Sequence, residues 1–446
     1  MKATANLLQT CVLSSSIFLT ATILAEETKS DESSAKVEST RKNPFKKSHY
    51  DADEGFGSPD ETGHQLEEDN KDKFPIFRFP IADALTEDWD AWKARLYDDT
   101  GFQFGIAYTA FAQKIIDPDV NTDNARSGLL RASIKWELVN RGSKNVGALV
   151  MSFDDRHKYG DIPPAQLGGS IGYLSQTGML YNDAGSLIGD LKWTQALNDG
   201  KAGMVIGRYD PSDYHDVLGF SSPWTGFSNL DSLINMSIAV PDWSWGVAAG
   251  FWLSDEYYVL GGVNDANGTA TDDLEFFDYG SELYKFAEVG WSPSREQRYF
   301  NNFHLMLWHV DEREIKGPDS DSQGMVVGYN WTWDMEWMVF AKLGLSDADS
   351  TNDVQLYEQH LSAGVIKYFD ARSDLVGLSI SHGKIIEPLY DLGGFNEYTT
   401  TIETFYRIQL AENIAITPNL QYIIDPHNNT DIDSATIAGV RVRFTL

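Results

Sequence analysis

The chain has 446 residues, with 66 acidic and 35 basic side chains, a formal net charge of −31 and 13% aromatic residues. Acidity of that size excludes a nucleic-acid partner, because phosphate binding needs basic surface. No apolar run beyond the N-terminus is long enough for a spanning helix, which excludes a helical membrane protein but not a barrel, where only alternate residues face lipid.

Residues 1–25 read as a cleaved export signal: Lys2 gives the charge, residues 7–24 the apolar core, and Ala25 a small residue before Glu26. The only cysteine, Cys11, lies within it, so the exported chain is expected to have no thiol chemistry. Residues 26–80 are charged, with both signs mixed and with Pro44, Pro59, Pro75 and Pro80. They bury too little to fold alone and are expected to form a flexible periplasmic extension. In residues 81–98, Leu85, Trp89, Trp92 and Leu96 recur at three- and four-residue spacing, which predicts a short periplasmic helix. Acid early (Asp88, Asp90) and base late (Lys93, Arg95) suit its dipole.

Residues 99–446 alternate. Phe102, Phe104, Ile106 and Tyr108 interleave with Gln103, Gly105, Ala107 and Thr109. Leu130, Ala132, Ile134, Trp136 and Leu138 interleave with Arg131, Ser133, Lys135 and Glu137. Side chains on a strand alternate faces, and a Lys or Arg facing lipid at mid-bilayer costs about 2–4 kcal/mol, so the charged face points inward. Further strands are predicted at 146–153, 187–196, 204–209, 233–240, 243–253, 283–291, 303–310, 325–331, 337–345, 361–368 and 375–382, and three close the chain at 402–410, 414–424 and 438–446. The fold class that follows is all-β: a transmembrane antiparallel β-barrel of about sixteen strands. Connections alternate between short (140–145, 198–201, 241–242, 334–335, 369–372, 411–412) and long (114–127, 154–186, 210–231, 254–281, 311–323, 346–359, 383–399, 425–434). The exception is a longer turn at 292–302. Lys285 falls on the lipid parity, which calls for snorkelling or a bulge.

Inward parity gathers Arg131, Lys135, Glu137, Asp190, Lys192, Glu288, Lys342, Glu403, Arg407, Arg441 and Arg443. The plain reading is a water-filled wall rigidified by salt bridges. The functional reading is an Arg/Glu-lined constriction whose donors and acceptors bind sugar hydroxyls. Trp252 and Trp308 share that parity and offer either stacking faces or an interface girdle. The loop 154–186 is long enough to narrow the lumen. No catalytic residue, cofactor or metal is expected. Gly168 to Gly172 is glycine-rich without a following helix. His304 and His309 lack a third ligand, and Asp265, Asp272, Asp273 and Glu275 lack EF-hand spacing.

Several stretches carry a family pattern: Trp-Asp-Ala-Trp-Lys-Ala-Arg-Leu at 89–96, Gly-Arg-Tyr-Asp-Pro-Ser-Asp-Tyr-His-Asp at 207–216, Phe-Ala-Lys-Leu-Gly-Leu-Ser at 340–346 and Asp-Leu-Val-Gly-Leu-Ser at 374–379. The most specific are Glu-Thr-Phe-Tyr-Arg-Ile-Gln-Leu at 403–410, Pro-Asn-Leu-Gln-Tyr-Ile-Ile-Asp-Pro at 418–426 and Gly-Val-Arg-Val-Arg-Phe at 439–444. Together they resemble the carbohydrate-selective outer-membrane porin family of the OprB type. Lys342 stands where Arg is common, and Leu446 where barrels usually end on Phe. The resemblance implies an outer-membrane barrel through which mono- and small oligosaccharides diffuse passively. Its partners would be small sugars, outer-membrane lipids and the barrel-assembly machinery, with monomer or homo-oligomer left open. The residues alone also admit a general or anion-preferring porin, or a secreted all-β glycan-binding protein.

Overall fold

The computed structural model describes residues 56–70, 73–77, 80–219, 222–271, 274, 277, 280–313, 321–334, 336–348, 355–369, 373–386 and 394–446, without the side chains of 80–87. The expected signal, Cys11, the start of the extension, and Asp272, Asp273 and Glu275 lie outside the described residues.

Sixteen antiparallel strands close into one barrel, each paired with its sequence neighbours, and β1 (Phe102–Asp117) zips against β16 (Ser434–Thr445). The seam aligns Thr109 with Arg443 and Phe111 with Arg441. Between them run β2 (Asn124–Val139), β3 (Gly147–Lys158), β4 (Gly185–Leu197), β5 (Ala202–Tyr209), β6 (Ser244–Trp252), β7 (Tyr257–Asp265), β8 (Leu283–Trp291) and β9 (Asn302–Val310). The circuit continues through β10 (Ser322–Trp333), β11 (Trp337–Ser346), β12 (Tyr357–Phe369), β13 (Asp374–Ile385), β14 (Tyr398–Ala411) and β15 (Ile414–Ile424). The period-two pattern is literal on β14, where every second residue is buried along the whole strand. Outward positions stay apolar and half-exposed, as in Leu378 and Ile380 of β13 and Val440, Val442 and Phe444 of β16. No described helix is long and apolar enough to cross a membrane.

Two strand expectations fail, and the errors cancel in the count. Residues 233–240 are not a strand. They lie within a loop, 210–243, folded into the barrel, and Met236, Ile238, Ala239 and Val240 are all buried there. An apolar run covered on every side has no period to read. The missing strand is β7, absorbed into the expected loop 254–281 because Gly261 and Gly262 interrupt its pattern. The turn expected at 241–242 is therefore the end of the inner loop, and the true β6–β7 turn is 253–256, closed by Leu253 N–H donating to Tyr257 O at 2.8 Å. Lys285 does point outward, with no bulge in its ladders. It sits at the long-loop end of β8, paired with Asp311 at 2.6 Å, so its charge is met at the rim.

Helix α1 (Thr62–Asp69) is short, and the longer α2 (Pro80–Thr100) lies at the short-turn end. Trp89 and Trp92 of α2 meet Phe104 of β1 edge-on at 5.7 and 5.8 Å. Tyr97 donates to Glu137 at 3.1 Å.

Candidate functional site

The lumen is narrowed from within by residues 210–243. Wall residues hold this loop mainly through its backbone. Arg441 donates to Pro223 O and Gly226 O, both at 2.7 Å. Glu403 accepts from Ser228 N–H at 2.8 Å and Asn229 N–H at 2.9 Å. Lys342 pairs with Asp216 at 3.0 Å, and His304 reaches the other Asp216 oxygen at 2.9 Å. Glu288 accepts from Asp216 N–H at 2.8 Å and from Tyr258 at 2.7 Å. The loop 159–184 lies over the inner one: Met179 N–H donates to Ser228 O and Leu230 N–H to Gln176 O. Asp231 ties the two together, accepting from Tyr173 at 2.8 Å and Ser175 at 2.6 Å, and from Tyr357 on the wall at 2.6 Å.

A second insertion comes from the N-terminal side. Residues 56–70, here the strap, cross the lumen and include α1. At one end Phe56 meets Trp252 and Tyr258 with ring centroids 6.2 and 6.1 Å apart, and Arg298 donates to Phe56 O at 3.1 Å. At the other, Asp69 pairs with Arg443 at 2.5 Å and Glu67 with Lys135 at 2.6 Å. In between, Glu61 pairs with Lys192 at 2.8 Å, Thr62 donates to Asp190, and Arg131 donates to Gln65 at 3.4 Å. Thus residues 56–70 of the 26–80 extension have a seat in the barrel.

Between the strap and the inner loop lies a cavity that opens to solvent, with about 70 Å³ of water-accessible space. Arg131, Asp60, Asp190, Asp213, Trp224 and Trp243 are among its lining. Arg131 forms a two-pronged pair with Asp154 at 2.7 and 2.8 Å, and Arg156 reaches the same carboxylate at 2.8 Å. The Arg131 guanidinium lies 4.1 Å from the centre of the Trp224 ring, Arg443 lies 5.5 Å from it, and Arg156 is 4.9 Å from Trp243. Cation–π contact and ion pairing fix both indoles as cavity walls. Burial pushes Asp60 up to about 8. Burial, with Asp242 adding repulsion, brings Asp210 to about 7. Burial also raises Asp216, but Lys342 and His304 outweigh it and hold this carboxyl at about 2.

All eleven inward-parity charges are buried from solvent. The structure does not gather them into one ring. Arg441, Glu403, Lys342 and Glu288 grip the inner loop, whereas Lys135, Lys192, Asp190 and Arg443 grip the strap. Arg407 donates to Gln409 at 2.8 Å and Ser373 O at 3.2 Å near the short-turn rim. Trp252 and Trp308 do face inward, in a buried cluster with Phe56. Sequence reasoning missed Trp224 and Trp243 as cavity residues, and Asp154 and Arg156 as the groups that hold Arg131 and Trp243. The motif at 207–216 was the available signal, since it supplies Asp210, Asp213, His215 and Asp216 to the lining.

Residues 305–446 match the family described as carbohydrate-selective porin, OprB family, which bears out the resemblance seen in the closing strands. Porin AaxA of Chlamydia abortus is 21% identical over 315 residues, covering 70% of this chain and 69% of that protein. Porin AaxA of Chlamydia felis is 22% identical over 321 residues, with 70% and 69% covered. The high-pH structure of Pseudomonas putida OprB superposes with a TM-score of 0.62 at 14% identity, over 80% of this chain and 97% of that one. At that identity the likeness establishes the fold, a closed porin barrel.

Proposed function

We propose, starting from a closed sixteen-stranded barrel whose last third carries the carbohydrate-selective porin pattern, that this chain is a channel for small carbohydrates across the outer membrane. The observation that carries the reading is the chamber under the inner loop, whose lining sets the indoles of Trp224 and Trp243 beside Arg131, stacked on Trp224, and several acceptor carboxylates. A pyranose has the matching pair of surfaces, one apolar and one rimmed by hydroxyls. Hydrogen bonds to charged groups net about 1.5–3 kcal/mol each, so a few give weak, reversible binding, as a diffusion channel needs. The porins named among its relatives support transport rather than catalysis. The half-exposed apolar outward face argues against a secreted glycan-binding protein.

The chamber does not favour the anion-preferring alternative. Asp190 and Asp216 line it against Arg131 among the basic side chains, and burial holds Asp60 at about 8 and Asp210 at about 7, so the lining offers an anion no cationic excess. Liposome swelling with glucose, a disaccharide and an amino acid of glucose size tests the proposal. The native chain should admit glucose faster than the amino acid, and Trp224→Ala should erase that preference while keeping the pore open. Swelling ranked by solute size alone, alike in both proteins, would leave a porin without sugar selectivity.

A further inference from the structure

The wall carries a binding site for the chain's own acidic segment, and the strap occupying it splits the lumen in two. On one side lies the chamber under the inner loop. On the other is a cavity with about 40 Å³ of water-accessible space at the short-turn end, lined by Lys135, Val146, Thr194, Met204 and Gly250. Phe56, Gly57, Glu61, Gly63 and His64 of the strap wall the second cavity, while Ser58, Asp60 and Thr62 wall the first. A solute moving through the barrel meets this segment whichever side it enters from.

Three features make it a fitted occupant. Three of its five acids meet a basic wall residue: Glu61 with Lys192, Glu67 with Lys135 and Asp69 with Arg443. Its two large buried apolar side chains sit where the wall has no side chain of its own. A Cβ on Gly250 would strike the Phe56 ring, and one on Gly105 would lie 2.7 Å from Leu66 Cδ1. It is also fastened at one end. Ile76 N–H donates to Gln409 O at 2.9 Å, Phe77 N–H to Leu410 O at 3.0 Å, and Phe74 N–H to the Ser373 hydroxyl at 3.0 Å. Segment 73–77 thereby ties to the short-turn rim.

The kind of contact matters more than the number. Ion pairs inside an apolar core are trapped, because separating them strands bare charges in a dry medium. These pairs face what becomes an aqueous pore once the strap leaves, so both partners rehydrate. We propose that residues 56–70 are a displaceable gate: seated, they close the barrel and mask Lys135, Lys192 and Arg443; released about the 73–77 tether, they open it and expose those cations to solute. This inference rests on the channel reading and adds a closed state to it.

Single-channel recording in planar bilayers tests it with the full chain. Leu66→Cys with Gly105→Cys places two thiols at one strap–wall contact, and the only native cysteine is Cys11. The oxidised protein should stay at low conductance, and a reductant should restore openings. Independently, Glu61→Gln with Glu67→Gln and Asp69→Asn removes the paired charges and should raise the open fraction severalfold. Currents that ignore both the cross-link and the neutralisation would overturn the gate while leaving the channel standing. No current from any of these proteins, the charge variant included, would overturn the channel reading as well.

Discussion

On β13, Leu378 and Ile380 stand half-exposed on the outer face, while Ser379 and Ser381 between and beside them are buried toward the lumen. Ser379 meets Ser232 of the inner loop at 2.9 Å. One strand therefore obeys two rules. Outside, each side chain answers only to lipid, and any apolar residue of reasonable size serves. Inside, each answers to a particular partner on an inserted segment distant in sequence. Tolerance should differ accordingly: the lumen is sensitive to the loss of one partner, the outer face to a change of class.

The largest expected effect is inside. Asp154 is shared by Arg131 and Arg156 and is fully buried. Asp154→Ala leaves two guanidiniums facing each other without a counter-charge. Removing one partner of a buried pair costs about 3–5 kcal/mol. Urea unfolding of the barrel from phospholipid vesicles should show a loss of that order, and Asp154→Asn should recover part of it. A loss below about 1 kcal/mol, the worth of an exposed pair, would mean that water already fills the site. Next comes the outer face. Leu378→Arg puts a charge on the lipid side near the middle of β13, at an expected cost of about 2–4 kcal/mol in the same assay. Leu378→Ile should be close to silent. If Leu378→Arg is silent too, that surface is covered by protein rather than lipid.

The same contrast explains what the sequence could reveal. The wall was legible because its period is local: Arg131, Lys135, Glu403 and Arg441 were assigned inward from their immediate neighbours, and all four are buried. Their partners were not legible. Arg441 grips carbonyls 215 to 218 residues away, and Glu403 accepts from backbone 174 to 175 residues away. No period links such positions, and the partners are backbone groups that every residue has. The inner loop was hidden for a related reason, since 233–240 is apolar and covered, and a covered run resembles a strand. The strap was hidden by composition. Alone, residues 56–70 bury too little to fold, and they acquire structure only against a wall whose charges complement theirs.

The remaining expected effect concerns protons in the strap, and it sharpens the comparison because the wall should not share it. Seated, Asp60 is held up to about 8 by burial, and Asp210 adds repulsion. Arg131 of β2 and Lys342 of β11 pull the other way, with Asp190 of β4 and Asp213 of the inner loop also lining the cavity. Released into water, Asp60 returns to an ordinary carboxylate value near 3.8. The seated form then binds the extra proton, so seating is strongest at low pH and weakens as pH rises from about 4 to about 8. Glu61 acts in the opposite sense. Burial raises it, but Lys192 and His64 outweigh burial and hold it at about 2, so its contribution is complete above its ordinary 4.5 and fades as pH falls toward 2. Closure should therefore peak near pH 4–5, with channel opening rising on both sides. Asp60→Asn should flatten the alkaline limb and spare the acid one, and Glu61→Gln should do the reverse. Bilayer conductance recorded from pH 3 to pH 9 for the three proteins reads this directly. An alkaline limb that survives Asp60→Asn would move the proton to Asp210, whose carboxyl is raised to about 7 in the same cavity.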